Sequence, residues 1–316
     1  MSVDNSALRG GHIMAAFLPG EGRPRQNGSI APAEFATADG LNLSADIAGE
    51  PWRSRIIFLH GGAQSRRSWR RALEVFALGG FSVVSYDLRG HGESDWSAKG
   101  DYSLEAHVSD LISIVRSSPG RPILIGASLG GRVALAAAAK LGSEVINCLV
   151  LVDLTPRLNA VGLNRIRNFL SESVEGFADR AAAAAALSLY AERPLDKPMS
   201  NIGRSLIKHN NGRFYWRWDP QAALDANLDP VDLERNLRQA ARRLEVPTLL
   251  VRGTESDLVT PDCVSDFLRD CPSAEVVNIE GQGHLMKSSN WEFFCNAALE
   301  FVHRHTRHPV SDPSEY

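Results

Sequence analysis

A chain of 316 residues, 44% hydrophobic and 22% charged, has the make-up of a soluble globular protein, and its length fits one large α/β domain or one domain with an insertion. A formal net charge of −3 gives no footing for nucleic-acid binding, and no apolar stretch approaches the ~20 residues that cross a bilayer. Four scattered cysteines (Cys148, Cys263, Cys271 and Cys295) with no C-x-x-C pair point to reduced thiols in a cytoplasmic setting rather than a disulfide framework.

In chain order, residues 1–30 read as a disordered tail: "IMAAFL" is too short for a secretory apolar region, and breakers follow it. "AEFATADG" and "LNLSADIAG" alternate apolar and polar residues around Asp39-Gly40, which predicts a hairpin. The pattern then changes to short, nearly continuous apolar runs: "RIIFL", "FSVVSYDL", "RPILIGAS", "INCLVLVDL", "PTLLVRG" and "AEVVNIE". Strands buried on both faces of a parallel sheet look like this. Helices are expected between them. "SWRRALEVFALGG" ends in glycines, and "SLEAHVSDLISIVRSS" opens with Ser103 as N-cap. Further helices are expected at 129–141, 262–270 and 291–303. Alternating strand and helix predicts a doubly wound, mostly parallel sheet. Residues 156–243 contain no convincing strand and are too long for a connection, so a helical cap is expected there, inserted after the sixth strand. The core would then comprise 31–155 and 244–305, with a disordered tail at 306–316.

The chemistry concentrates at strand ends. Gly126-Ala127-Ser128-Leu129-Gly130 is G-x-S-x-G between a predicted strand and a predicted helix, the setting in which the motif marks a nucleophile elbow rather than a plain turn. "NIEGQGHLM" places His284 beyond the last strand, and "RGTESDLVTP" places Asp257 after the strand before it. Ligands gather at this carboxyl edge of an open sheet. The order Ser128, Asp257, His284 is the one expected of a serine triad on such a sheet. Asp153, at the end of "LVLVD", is the alternative acid. "FLHGGAQS" offers the Gly62 N–H as one oxyanion donor, with the Leu129 N–H as the other.

"HGG", "YDLRGHGESD", "GASLGG", "RGTESDLVTP" and "GQGH" together resemble the α/β-hydrolase superfamily with an inserted cap, over roughly residues 33–305. Similar chains include carboxylesterases, carbon–carbon bond hydrolases, acetamidomethylene-succinate-type amide hydrolases and cofactor-free haloperoxidases. The resemblance implies an enzyme that uses Ser128, His284 and an acid on a small-molecule substrate, with no metal or organic cofactor. A serine at the elbow argues against epoxide hydrolases and haloalkane dehalogenases, which place an aspartate there. Asp87, Arg89 and His91 of "YDLRGHGESD" are expected to be structural.

The cap carries ten Lys/Arg against six Asp/Glu between 157 and 220, a local positive excess in an acidic chain. Such an excess would favour an acidic substrate, or it is simply the solvated face of helices. In "NNGRFYWRWDP", Trp216 and Trp218 would form an aromatic wall or anchor the cap; with Ala63 and Arg165 they are the candidate substrate-binding residues. The functional expectation is cleavage of a carboxylic ester or similar acyl bond. Two alternatives remain open: carbon–carbon or amide cleavage of an acidic small molecule, and a ligand sensor with little turnover on a hydrolase scaffold. The expected state is a monomer or homodimer, without nucleic-acid or membrane partners.

Overall fold

The computed structural model describes residues 29–191, 205–224 and 230–306. Most of the tail expected at 1–30 lies outside these residues, as do the tail from 307 onward and seven charges of the expected cap (Glu192, Arg193, Asp196, Lys197, Arg204, Asp225 and Asp229).

The Asp39-Gly40 hairpin forms as expected. β1 (Ala31–Ala36) and β2 (Asn42–Ala48) pair antiparallel, with Gly40 at φ +90° in the turn. β3 (Arg55–Leu59), β4 (Ser82–Tyr86), β5 (Ile123–Ala127) and β6 (Leu149–Val152) follow, almost wholly buried. β2 joins β4 antiparallel, and the remaining pairings of the main sheet are parallel. Helices cover both faces, which is why these strands lack in/out alternation. α1 (Arg70–Leu78) packs on one face, against β4. α2 (Leu104–Arg116) is capped by Ser103, whose Oγ accepts from the Ala106 N–H. α3 (Leu129–Leu141) runs from the end of β5 and packs on α2.

After β6 come α4 (Ala160–Ser173) and α5 (Arg180–Tyr190), capped by the Asn159 and Asp179 side chains. The expectation that 156–243 lacks strands fails here. β7 (Leu206–Lys208) and β8 (Phe214–Trp216) form a small antiparallel hairpin. It turns at Gly212 (φ +81°), with the Asn211 side chain accepting from the Arg213 N–H. Three-residue strands are too short to show a period, so only the Asn-Gly pair signalled them. α6 (Pro220–Leu224) leads toward α7 (Pro230–Arg242). α7 was expected in the cap, yet it packs on α3 and on α8 (Pro261–Asp270), with Leu237 and Ala241 in the main core. By packing, the chain rejoins the sheet's helical layer near 230 rather than 244.

β9 (Thr248–Gly253) and β10 (Glu275–Ile279) complete an eight-stranded sheet of order β1-β2-β4-β3-β5-β6-β9-β10, and α9 (Trp291–His305) covers the face that α1 covers. Among the described residues, no helix is long and apolar enough to cross a membrane. β6 and β9 are sheet neighbours although about a hundred residues separate them, which brings the loops after β6, β9 and β10 to one edge.

Candidate active site

Ser128 sits at the corner between β5 and α3 with φ +47° and ψ −113°, a strained conformation for a residue with a side chain. Its neighbours hold the corner closed. A methyl on Gly126 would stand 2.4 Å from the Gly130 carbonyl oxygen, and one on Gly130 would stand 2.4 Å from that of Leu59. Neither position accepts a Cβ without backbone movement, which is the physical content of the G-x-S-x-G spacing. The Gly130 N–H donates to the His60 carbonyl at 3.1 Å, pinning the loop after β3 against the start of α3.

That loop brings Gly62 beside Leu129: a methyl on Gly62 would lie 4.0 Å from the Leu129 Cβ. Among the described residues, neither backbone N–H has an acceptor within the protein. His60 beneath them is fully buried. Its Nδ1–H donates to the Gly61 carbonyl at 2.8 Å, and its Nε2 accepts from the Leu88 N–H at 3.0 Å, so the ring is neutral and holds the loop.

His284 Nδ1 lies 2.7 Å from Asp153 Oδ2. The same carboxylate oxygen accepts from Ser256 Oγ at 2.7 Å, and the Ser256 hydroxyl takes the Val259 N–H at 3.1 Å. Asp153 is itself at φ +48°, directly after β6, and its N–H donates to Val251 on β9 at 2.8 Å. The acid expected from the sequence, Asp257, is not the partner of His284. Its Oδ1 lies 2.5 Å from Arg165 Nη2. The cause is local. Its loop is docked on the start of α4, where the Asn159 N–H donates to the Leu258 carbonyl at 2.9 Å and Gly162 leaves no room for a Cβ against Leu258. Asp257 therefore points toward Arg165 on α4, and its neighbour Ser256 turns inward to Asp153.

Ser128, Asp153, His284, Gly62, Leu129, Ala63, Trp216 and Trp218 all line one cavity of about 1080 Å³. Ser128 and His284 share its wall without a hydrogen bond between them in this arrangement, as is common before substrate is bound. Leu163, Ile166, Arg167 and Leu170, at helical spacing on one face of α4, form its roof. Trp216 and Trp218 border the cavity and pack with Phe169 and Phe177 into an apolar cluster separate from the main core. The Trp216 indole N–H donates to Ser173 Oγ at 3.2 Å. Arg165 does not line the main cavity; it borders a smaller one of about 200 Å³ that also touches His284.

The charged side chains of "YDLRGHGESD" are held by partners within the protein. Arg66 binds Asp87, Asp46 and Glu93, and Arg89 binds Asp110 with both side chains buried. His91 donates from Nδ1 to the Arg89 carbonyl at 3.0 Å. Burial holds His60, His91 and His107 below the usual histidine range, His107 at about 3. A histidine kept neutral when folded binds its proton only on unfolding. Stability therefore falls as pH drops below about 6.5, a loss that for His107 continues toward pH 3. His107→Gln is expected to remove about 1 kcal/mol of the stability lost between roughly pH 6.5 and 5.5, read by urea denaturation at both values; equal losses in the two proteins would contradict it.

Arg132, not among the residues expected at the site, also lines the cavity. Its signal was its position, four residues after Ser128 in a helix and hence on the same face.

A model of the alpha/beta hydrolase family matches residues 56–296. The chain is similar to esterase Rv0045c of Mycobacterium tuberculosis, 29% identical over 277 residues that cover 83% of this chain and 86% of that protein. It is also similar to 2-(acetamidomethylene)succinate hydrolase of Mesorhizobium japonicum, 26% identical over 294 residues covering 83% and 99%. A crystal structure of E-2-(acetamidomethylene)succinate hydrolase shares the fold, with a TM-score of 0.75 at 23% identity over 87% of this chain and 100% of that one. With most of its length matched, the chain belongs to the alpha/beta hydrolase family and is a hydrolase.

Proposed function

We propose that the protein cleaves a carboxylic ester or similar acyl bond of a small molecule through a serine-bound acyl-enzyme. The observation that carries this reading is a strained Ser128 on the same cavity wall as an imidazole already held by a buried carboxylate. Asp153 accepts the Nδ1–H of His284, which leaves Nε2 free as the base. His284 takes the Ser128 proton as Oγ attacks the carbonyl carbon. The oxyanion collects the Gly62 and Leu129 N–H groups, which have no acceptor of their own among the described residues. His284 returns the proton to the leaving group. Water, deprotonated by the same imidazole, then releases the acid. Asp153 stabilises the imidazolium, and the Ser256 hydroxyl fixes the orientation of its carboxylate. Similarity to proteins named as an esterase and as an sn-1-specific diacylglycerol lipase supports ester cleavage. So does the apolar surface that Leu163, Ile166 and Leu170 give the roof beside Arg167, which suits an acyl chain.

The test is turnover of p-nitrophenyl esters from acetate to octanoate. The expected result is saturable hydrolysis, with an acyl-enzyme detected by mass spectrometry on rapid quench. Hydrolysis of no ester above background, with no adduct, would exclude the proposal.

A further inference from the structure

Arg132 lies one helical turn beyond Ser128 on α3 and lines the same cavity. Helical side chains lean toward the helix N-terminus, which directs this one back toward the nucleophile. Its Nε is closed off from solvent and has no hydrogen-bond acceptor among the described residues. Arg167, half-buried, comes down from the roof on α4. It is close enough that its like charge depresses the Arg132 pKa, which burial, the larger cause, has already lowered; together they set it at about 10, so Arg132 stays charged at neutral pH.

Each acid that lines the cavity has a basic partner elsewhere. Asp87 and Glu93 bind Arg66, Asp153 binds His284, and Glu234 lies 3.6 Å from Arg238, whose Nε donates to Asp270. Arg132 and Arg167 have no ion pair among the described residues. Two like charges drawn together in a cavity without a counter-ion cost stability, because each loses water and repels the other. Such an arrangement persists where a ligand supplies the missing charge, and guanidinium forks match a carboxylate.

We infer that Arg132 and Arg167 form a carboxylate clamp between core and cap, so that the substrate is an acyl compound with a free carboxylate a few carbons from the scissile bond. This rests on the hydrolase reading of Ser128 for the bond cleaved, though not for the binding of the anion. Arg132 and Arg167 act as specificity residues: they anchor the far end of the substrate and set which carbonyl reaches Ser128.

The experiment compares the p-nitrophenyl monoester of adipate with p-nitrophenyl hexanoate, which have equal carbon number and the same leaving group. The wild type is expected to favour the adipate ester in kcat/KM. Arg132→Met and Arg167→Met should each lower that preference by on the order of 10- to 100-fold, and Arg132→Lys by less, because charge remains but the fork is lost. An unchanged preference in both Met variants would overturn the clamp. If Arg132→Met fails to fold, Arg167→Met and Arg132→Lys still decide. A second arm reads binding without chemistry. Adipate should raise the Tm of the wild type and of Ser128→Ala alike, and should lose this effect in Arg167→Met. If Ser128→Ala keeps its turnover, the hydrolase reading of Ser128 fails, while adipate stabilisation lost in Arg167→Met still supports the clamp. Stabilisation by inorganic phosphate but not by adipate would overturn the carboxylate assignment.

Discussion

Ser128→Ala is expected to fold as the wild type does and to lose turnover on p-nitrophenyl esters by on the order of 10⁴–10⁶-fold. The magnitude follows from what is removed. The oxyanion donors and the cavity remain, so some acceleration over water persists, but no acyl-enzyme forms. The substitution is structurally mild, because it deletes one hydroxyl at a corner whose strain is held by Gly126 and Gly130 and by the Ser128 N–H donating to the Val152 carbonyl at 3.3 Å. A guanidinium melt and a steady-state assay with butyrate ester check both halves. An intact melt with a tenth or more of wild-type kcat would show that Ser128 is not the nucleophile.

The second large effect separates the two acids. Asp153→Asn is expected to lower kcat by about 10⁴, the scale of the same exchange in a well-studied triad. Asparagine keeps the shape but can present its N–H₂ to His284 Nδ1, which selects the wrong tautomer, and it leaves the imidazolium without a counter-charge. Ser256 would donate to a weaker acceptor, so some stability is lost too. Asp257→Asn removes a partly exposed ion pair with Arg165, worth about 1 kcal/mol or less. Its expected kinetic cost is about tenfold or less, through the seating of α4 over the cavity. Side-by-side kcat values, with circular dichroism as the folding control, decide. A larger loss in Asp257→Asn would contradict the assignment made from the 2.7 Å contact between His284 and Asp153.

The contrast between these acids shows how far the sequence could be read. Ser128 and His284 were legible because their neighbours are constrained: small residues around an elbow, and glycines around a histidine beyond the last strand. The acid was not, because both candidates follow buried strands and the sheet sets those strands side by side. Which one turns inward depends on how the loop after β9 docks on α4, a contact between segments about a hundred residues apart. The β1–β2 hairpin was legible from Asp39-Gly40 and alternation. The β7–β8 hairpin was not, because its strands are shorter than one readable period. α7 has helical periodicity wherever it packs, so the pattern alone did not tell cap from core. Arg132 was hidden differently: an arginine in a helix is ordinarily a surface residue, and only the cavity reveals that this one faces inward, its Nε without an acceptor among the described residues.

The central claim is that Ser128 is an activated nucleophile driven by the His284–Asp153 pair. It is tested most directly by treating the intact protein with a fluorophosphonate and mapping the adduct by peptide mass spectrometry. The account predicts a single stoichiometric adduct on the peptide that contains Ser128, absent in Ser128→Ala and formed far more slowly in Asp153→Asn. An unlabelled Ser128 in folded wild-type protein, or labelling at the same rate in Asp153→Asn, would contradict it.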